Sequence, residues 1–234
     1  MSAASSVLTA PANKHSLAAR DRLFYSTMAI ALALAVFAGF ARTYYLPLFS
    51  GGPSATIAGL PFTRLVHVHG ALFTAWALLF VVQTSLIAGQ RVAIHRSVGI
   101  AGVALACAMV WAGGAMRIWE ARLLGGVDMT ASPTMLVLGM SDMLMFAAFV
   151  AAAVVWRRNK EAHKRLMLLA YVCLLDAAVA RIPGMPSRYA DYGLTLLPIA
   201  AGMTYDMLTR GRVHAVYLWG GTAFAAIFTA LKFL

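Results

Sequence analysis

Acidic side chains are few in this sequence: eight Asp and Glu stand against nineteen Lys and Arg in 234 residues, for a formal charge of +11. Charge of either sign is sparse as well, at 12% of residues, about half the share in an ordinary soluble domain. Cysteine is nearly absent. Cys107 and Cys173 each fall inside an apolar run and no CxxC spacing occurs, which excludes a disulfide scaffold and reads both thiols as small buried apolar groups. No glycine-rich phosphate cradle follows a strand pattern and no HExxH lies on a helix, so P-loop and zincin chemistry are excluded. LLGGV at 123–127 and GGPSATIAG at 51–59 read as loops. An internal repeat is missing too, which leaves the inverted-repeat plan of many secondary transporters unsupported. Pro198 and Gly202 interrupt a single segment where such folds carry a matched pair.

What the chain has in abundance is apolar length. Hydrophobic residues make up 62% of it and its mean hydropathy is +0.78. A transmembrane helix needs about 20 apolar residues, and such runs recur at 23–46, 64–88, 96–118, 133–156, 164–182, 192–209 and 213–233. The expected fold is therefore all-α, a polytopic transmembrane bundle of about seven helices forming one domain over 23–234, since helices satisfy their backbone hydrogen bonds within lipid. The sixth run is the weakest because of Pro198, and a six-helix count is the alternative. Residues 1–22 read as a disordered or surface-lying leader, because the apolar run after them is too long for a signal-peptide core.

Loop charge gives an orientation. The side holding the N-terminus gathers Arg91, Arg96, the basic run from Arg157 to Arg165, Arg210 and Arg212. The other side holds fewer cations, among them Arg42, Arg117, Arg181 and Lys232. The positive-inside rule then puts the N-terminus in the cytoplasm and the C-terminus outside, in the periplasm. The expected partner of the basic residues is the lipid bilayer and its anionic headgroups, with no nucleic acid, since no basic soluble face exists.

Ionisable groups inside the runs carry the chemistry, because each costs about 2.5–3.5 kcal/mol at a bilayer centre and normally faces the bundle interior. At the outer end, RLVHVHG places His67 and His69 at the start of the second helix. Asp142 on the fourth helix, Asp176 and Arg181 on the fifth, and Met140, Met143 and Met185 fall at similar depth. His67 and His69 differ by about 200° around a helix, so His69 is the better inward-facing candidate. From it Phe73, Trp76, Phe80 and Gln83 continue one stripe, while Gly70, Ala71, Thr74 and Ala77 form a small face suited to close helix contact. His67, His69 and Asp142 form a candidate metal set. Asp176 and Arg181 read either as part of that pocket or as a structural ion pair, and Trp76 as packing or an interface anchor.

At the inner end, His95 and Arg96 open the third helix, His163, Lys164 and Arg165 open the fifth, and Gln83 lies about one turn from the same surface. Two histidines from two helices at one level suit bis-histidine ligation of haem b. Arg96, Lys164 and Arg165 read as ordinary boundary anchors.

HVHG at 67–70, Gln83, HRSVG at 95–99 and HKRLMLL at 163–169 followed by Arg181 together resemble the pattern of an uncharacterised bacterial family of multi-pass membrane proteins. The resemblance spans about residues 23–183 and implies a fold in the bacterial inner membrane. That family's histidine layout is distantly similar to transmembrane b-type cytochromes, with the departure that the outer HxH lies on one helix with no second outer histidine. Three expectations follow: a membrane electron-transfer protein holding haem b or a transition metal; a small transporter or proton-coupled channel built on the buried Asp and His; or an accessory subunit, with a membrane-complex partner or as a homo-oligomer.

Overall fold

The structure, a computed structural model, describes residues 14–50, 62–124, 131–184 and 187–233. The expected loop at 51–59, most of that at 123–127, and Met185 lie outside them. All regular structure among the described residues is helical. In chain order the helices are α1 (Lys14–Phe40), α2 (Leu46–Ser50), α3 (Arg64–Ala88), α4 (Val92–Leu124), α5 (Ala131–Val155), α6 (Lys160–Val172), α7 (Asp176–Val179), α8 (Arg188–Arg210) and α9 (Thr222–Lys232). A π-helical turn, Ala41–Tyr45, joins α1 to α2, and another, Tyr217–Gly221, leads into α9. They group into seven rods, with α1–α2 and α6–α7 each counting as one.

Three helical stretches among the described residues are long and apolar enough to cross a membrane: Ser16–Phe49, Arg64–Ala88 and Val92–Leu123; Met140–Val155 is a shorter apolar helix. Several boundaries differ from the sequence expectation. Helix α1 begins at Lys14, so residues 14–22 extend it: Lys, Leu, Ala and Arg there are good helix formers and nothing breaks the run. Leu123 and Leu124 belong to α4 rather than to a loop. The fifth run is broken. Leu174 and Leu175 donate their N–H groups to carbonyls three residues back, Tyr171 and Val172, which tightens the chain and ends α6 before the short α7. The sixth run, in contrast, is whole. Ser187 caps α8 by accepting from the Ala190 N–H (3.3 Å), the helix passes through buried Pro198, and Gly211 ends it at φ +68°, a conformation suited to glycine.

Neighbouring rods follow chain order. α1 packs on α3 and crosses α7, α3 packs on α4, α4 on α5, α5 on α6, and α6 on α8. The core lies where α3, α5 and α6 meet: Trp76 stands edge-on to Phe146 (ring centroids 5.1 Å), and Phe80 meets Tyr171 (4.9 Å). The stripe from His69 through Trp76 to Phe80 thus turns inward, and Trp76 is a core residue rather than an interface anchor. The small face of α3 receives the end of α1, with Gly70 against the Tyr44 ring and the Thr74 hydroxyl 2.8 Å from that of Tyr45. This packing leaves two polar groups, one at each end of the bundle.

Candidate functional site

The first group lies where α3 ends and α4 and α6 begin. His95 sits in the first turn of α4 and His163 in the first turn of α6. Their rings stand in an edge-to-face arrangement, with centroids 6.3 Å apart and planes at 86°. Both imidazoles are held from behind. His163 Nδ1 lies 2.8 Å from the Ala153 carbonyl of α5; a carbonyl only accepts, so the proton is on Nδ1 and Nε2 keeps its lone pair. Behind His95 stands Gln83 of α3. Its carboxamide nitrogen donates to His95 Nδ1 (2.6 Å) and to the His95 carbonyl (3.2 Å), while its oxygen accepts from the Gly99 N–H (3.0 Å). The three residues singled out for this level, Gln83, His95 and His163, are therefore brought together.

Beside them lies a charge network that the sequence reading missed. Arg165 and Asp206 are both fully buried. Arg165 Nε donates to Asp206 Oδ2 at 2.8 Å, a second guanidinium nitrogen binds Asp206 Oδ1, and the third reaches Glu161 Oε2 at 2.8 Å. Asp21 of α1 accepts from Lys164 (2.6 Å), Tyr205 (2.8 Å) and, with both oxygens, Arg210 (2.8 and 2.6 Å). The network ties α1, α6 and α8 together. Arg165 is thus no boundary anchor; it shares the interior with Leu166, Leu168 and Leu169. Burial works against a charge on Glu161, but hydrogen bonds from Lys164 and Arg165 outweigh it and hold this carboxyl below the usual carboxylate range. The available signal was Asp206 itself: an acid in an apolar segment of a chain with so few acids needs a buried cation.

The second group lies at the opposite end, where α3 begins. Thr63 caps α3, accepting from the Val66 N–H at 3.5 Å, so both His67 and His69 are helical and point apart. His67 is exposed beside Phe62 and Tyr44 (ring centroids 5.7 and 6.2 Å). His69 is half-buried and stacked on Phe73 at 4.0 Å; its Nδ1 has no partner among the described residues. Asp142 shares its electrostatic surroundings with Asp176, Arg117 and Lys232. The expected Asp176–Arg181 pair is replaced. Lys232, in the last turn of α9, donates to Asp176 Oδ1 and to Asp191 Oδ2, each at 2.6 Å. Arg181 instead lies over the Phe40 ring (4.8 Å) and donates to the Ala177 carbonyl. The sequence marks Lys232 only as an outer-side cation and does not single out Asp191, because both sit at helix ends, where charge is ordinary.

Among the described residues no three His, Cys, Asp or Glu side chains come together as a metal-ligand group. The set His67, His69 and Asp142 is therefore not assembled, since His67 points away from the other two. No protein family, curated protein or solved structure matches the chain, so these geometries carry the functional argument.

Proposed function

We propose that this protein is a multi-pass inner-membrane protein that binds one haem b between His95 and His163 and takes part in membrane electron transfer. The observation that carries the reading is that two imidazoles from two different helices stand close together, with ring centroids 6.3 Å apart; His95 and His163 would be the residues that hold the group. The donor set favours haem over a bare metal ion. Two histidines leave a bare transition metal short of ligands, whereas haem iron brings four porphyrin nitrogens and needs two axial ones. Bound haem supplies one-electron chemistry.

The chain's own residues orient the ligands. The Ala153 carbonyl fixes the tautomer of His163 that leaves Nε2 free, as outer-shell carbonyls do for metal-bound histidine. Gln83 sets the other ring. With its nitrogen donating to Nδ1, the His95 proton sits on Nε2, so ligation through Nε2 would require that proton to move to Nδ1 and Gln83 to turn, giving up its bonds to the His95 carbonyl and the Gly99 N–H. Gln83 is thus the residue that couples the His95 tautomer to ligation. The sidedness of basic loops supports a cytoplasmic N-terminus, a periplasmic C-terminus and a haem near the cytoplasmic face.

Expression with a haem precursor, purification in detergent and extraction of the pigment test the assignment. Wild type is expected to hold haem, and His95→Ala and His163→Ala to lose it while His67→Ala keeps it. Haem content unchanged in both His95→Ala and His163→Ala would remove the ligand assignment, and a wild type without haem would remove the reading.

A further inference from the structure

The group of acids around Lys232 lies at the end of the bundle away from His95, and haem ligation makes no use of it. Asp176 begins α7, Asp191 lies in the first turn of α8, and Lys232 bridges them from α9. Asp142 of α5 lies within electrostatic reach of Asp176, Arg117 and Lys232. Asp191 is 6% exposed, and its Oδ1 is buried with no donor among the described residues. A buried carboxylate oxygen without a donor costs stability, so it marks a place where a donor belongs.

The surrounding charges sharpen this. From α4 come Arg117 and Glu120, joined to each other at 2.9 Å. Arg181 follows α7 and interacts with Arg117, Glu120 and Asp176. Arg117 and Arg181 lie within electrostatic reach of His69 of α3, and Asp142 within reach of the Cys173 thiol of α6. Four acids, Asp142, Asp176, Asp191 and Glu120, thus meet three permanent cations, Arg117, Arg181 and Lys232. One negative charge is left over, and like charges held close together repel.

We infer that this cluster binds one proton, shared among Asp142, Asp176 and Asp191 beside the Lys232 ammonium, as a proton-exchanging site at the periplasmic end of the bundle. A proton fits where a metal ion does not, because the described residues form no three-ligand group and Lys232 already occupies the space between two of the carboxylates. The proton enters as H+ from water, forms an O–H bond on one carboxylate and donates to a neighbouring oxygen; it leaves by the reverse step. No bond other than O–H changes.

Infrared spectroscopy of the protein in liposomes reads this directly, through the carbonyl stretch of a protonated carboxylic acid followed from pH 9 to pH 5. Wild type is expected to show such a band near neutral pH, and Asp142→Asn to lose it or move its titration by at least one pH unit. Lys232→Met, which adds one uncompensated negative charge, is expected to strengthen the band at the same pH. Sodium chloride and choline chloride at equal ionic strength should give the same titration and the same melting temperature. The inference is overturned if the Asp142→Asn and Lys232→Met spectra both coincide with wild type, or if sodium alone abolishes the band. Haem content is measured on the same samples, so loss of the haem reading and loss of this one are separate results.

Discussion

Arg165 and Asp206 exclude water from each other's charges, and the energy of that arrangement lies in its completeness. Removing one partner leaves a buried charge unpaired, a loss of about 3–5 kcal/mol, while replacing both by apolar residues of similar size is far milder. Arg165→Met and Asp206→Leu are each expected to lower the melting temperature in detergent sharply, and the double variant to recover much of the loss; equal damage in all three would contradict the pairing. Gln83→Leu is expected to weaken haem binding by about 10–100-fold, the usual cost of an outer-shell partner, while leaving the melting temperature of the haem-free protein nearly unchanged. At this scale the sequence was legible where depth along a helix decides. His95, His163 and Gln83 meet because helix ends align. It was silent where a helix face decides: Arg165 and Lys164 are neighbours in sequence, yet one is fully buried and the other reaches Asp21 near the surface.

Two glycines separate packing from propensity among the helices. A Cβ on Gly39 would overlap the Ala178 carbonyl, because α1 crosses α7 backbone against backbone, whereas a Cβ on Gly114 of α4 meets nothing within 4 Å. Gly39→Ala is therefore expected to destabilise the bundle, and Gly114→Ala to be neutral or to add up to about 1 kcal/mol through helix propensity. Thermal unfolding of the two variants side by side checks both. Seven apolar runs were readable from composition, and six of the seven gave their rods with shifted ends. The break between α6 and α7 was not readable, since Cys173, Leu174 and Leu175 contain no helix breaker; the close crossing of α1 over α7 accompanies it. Pro198 misled in the other direction. A proline removes one backbone hydrogen bond, and α8 continues through it with capped ends on both sides.

For the molecule as a whole, the network of Asp21, Glu161, Lys164, Arg165, Asp206 and Arg210 joins α1 to α6 and α8. The Glu161 carboxyl lies below its ordinary value when folded, so its contribution is present above about pH 4.3, the unfolded carboxylate range, and is lost as pH falls through the folded value. The melting temperature should drop between pH 5 and pH 3, with Glu161→Gln starting lower and falling less; parallel curves would contradict the assignment. Orientation belongs to this scale too: alkaline phosphatase fused after Leu234 is expected to be active, as a periplasmic C-terminus requires. The central claim is the haem between His95 and His163. Its most direct test is the absorption spectrum of the detergent-solubilised wild type, oxidised and then reduced with dithionite. A Soret band that shifts on reduction, with the sharp visible bands of bis-histidine haem, is expected. A colourless protein after expression with ample haem precursor would contradict the claim.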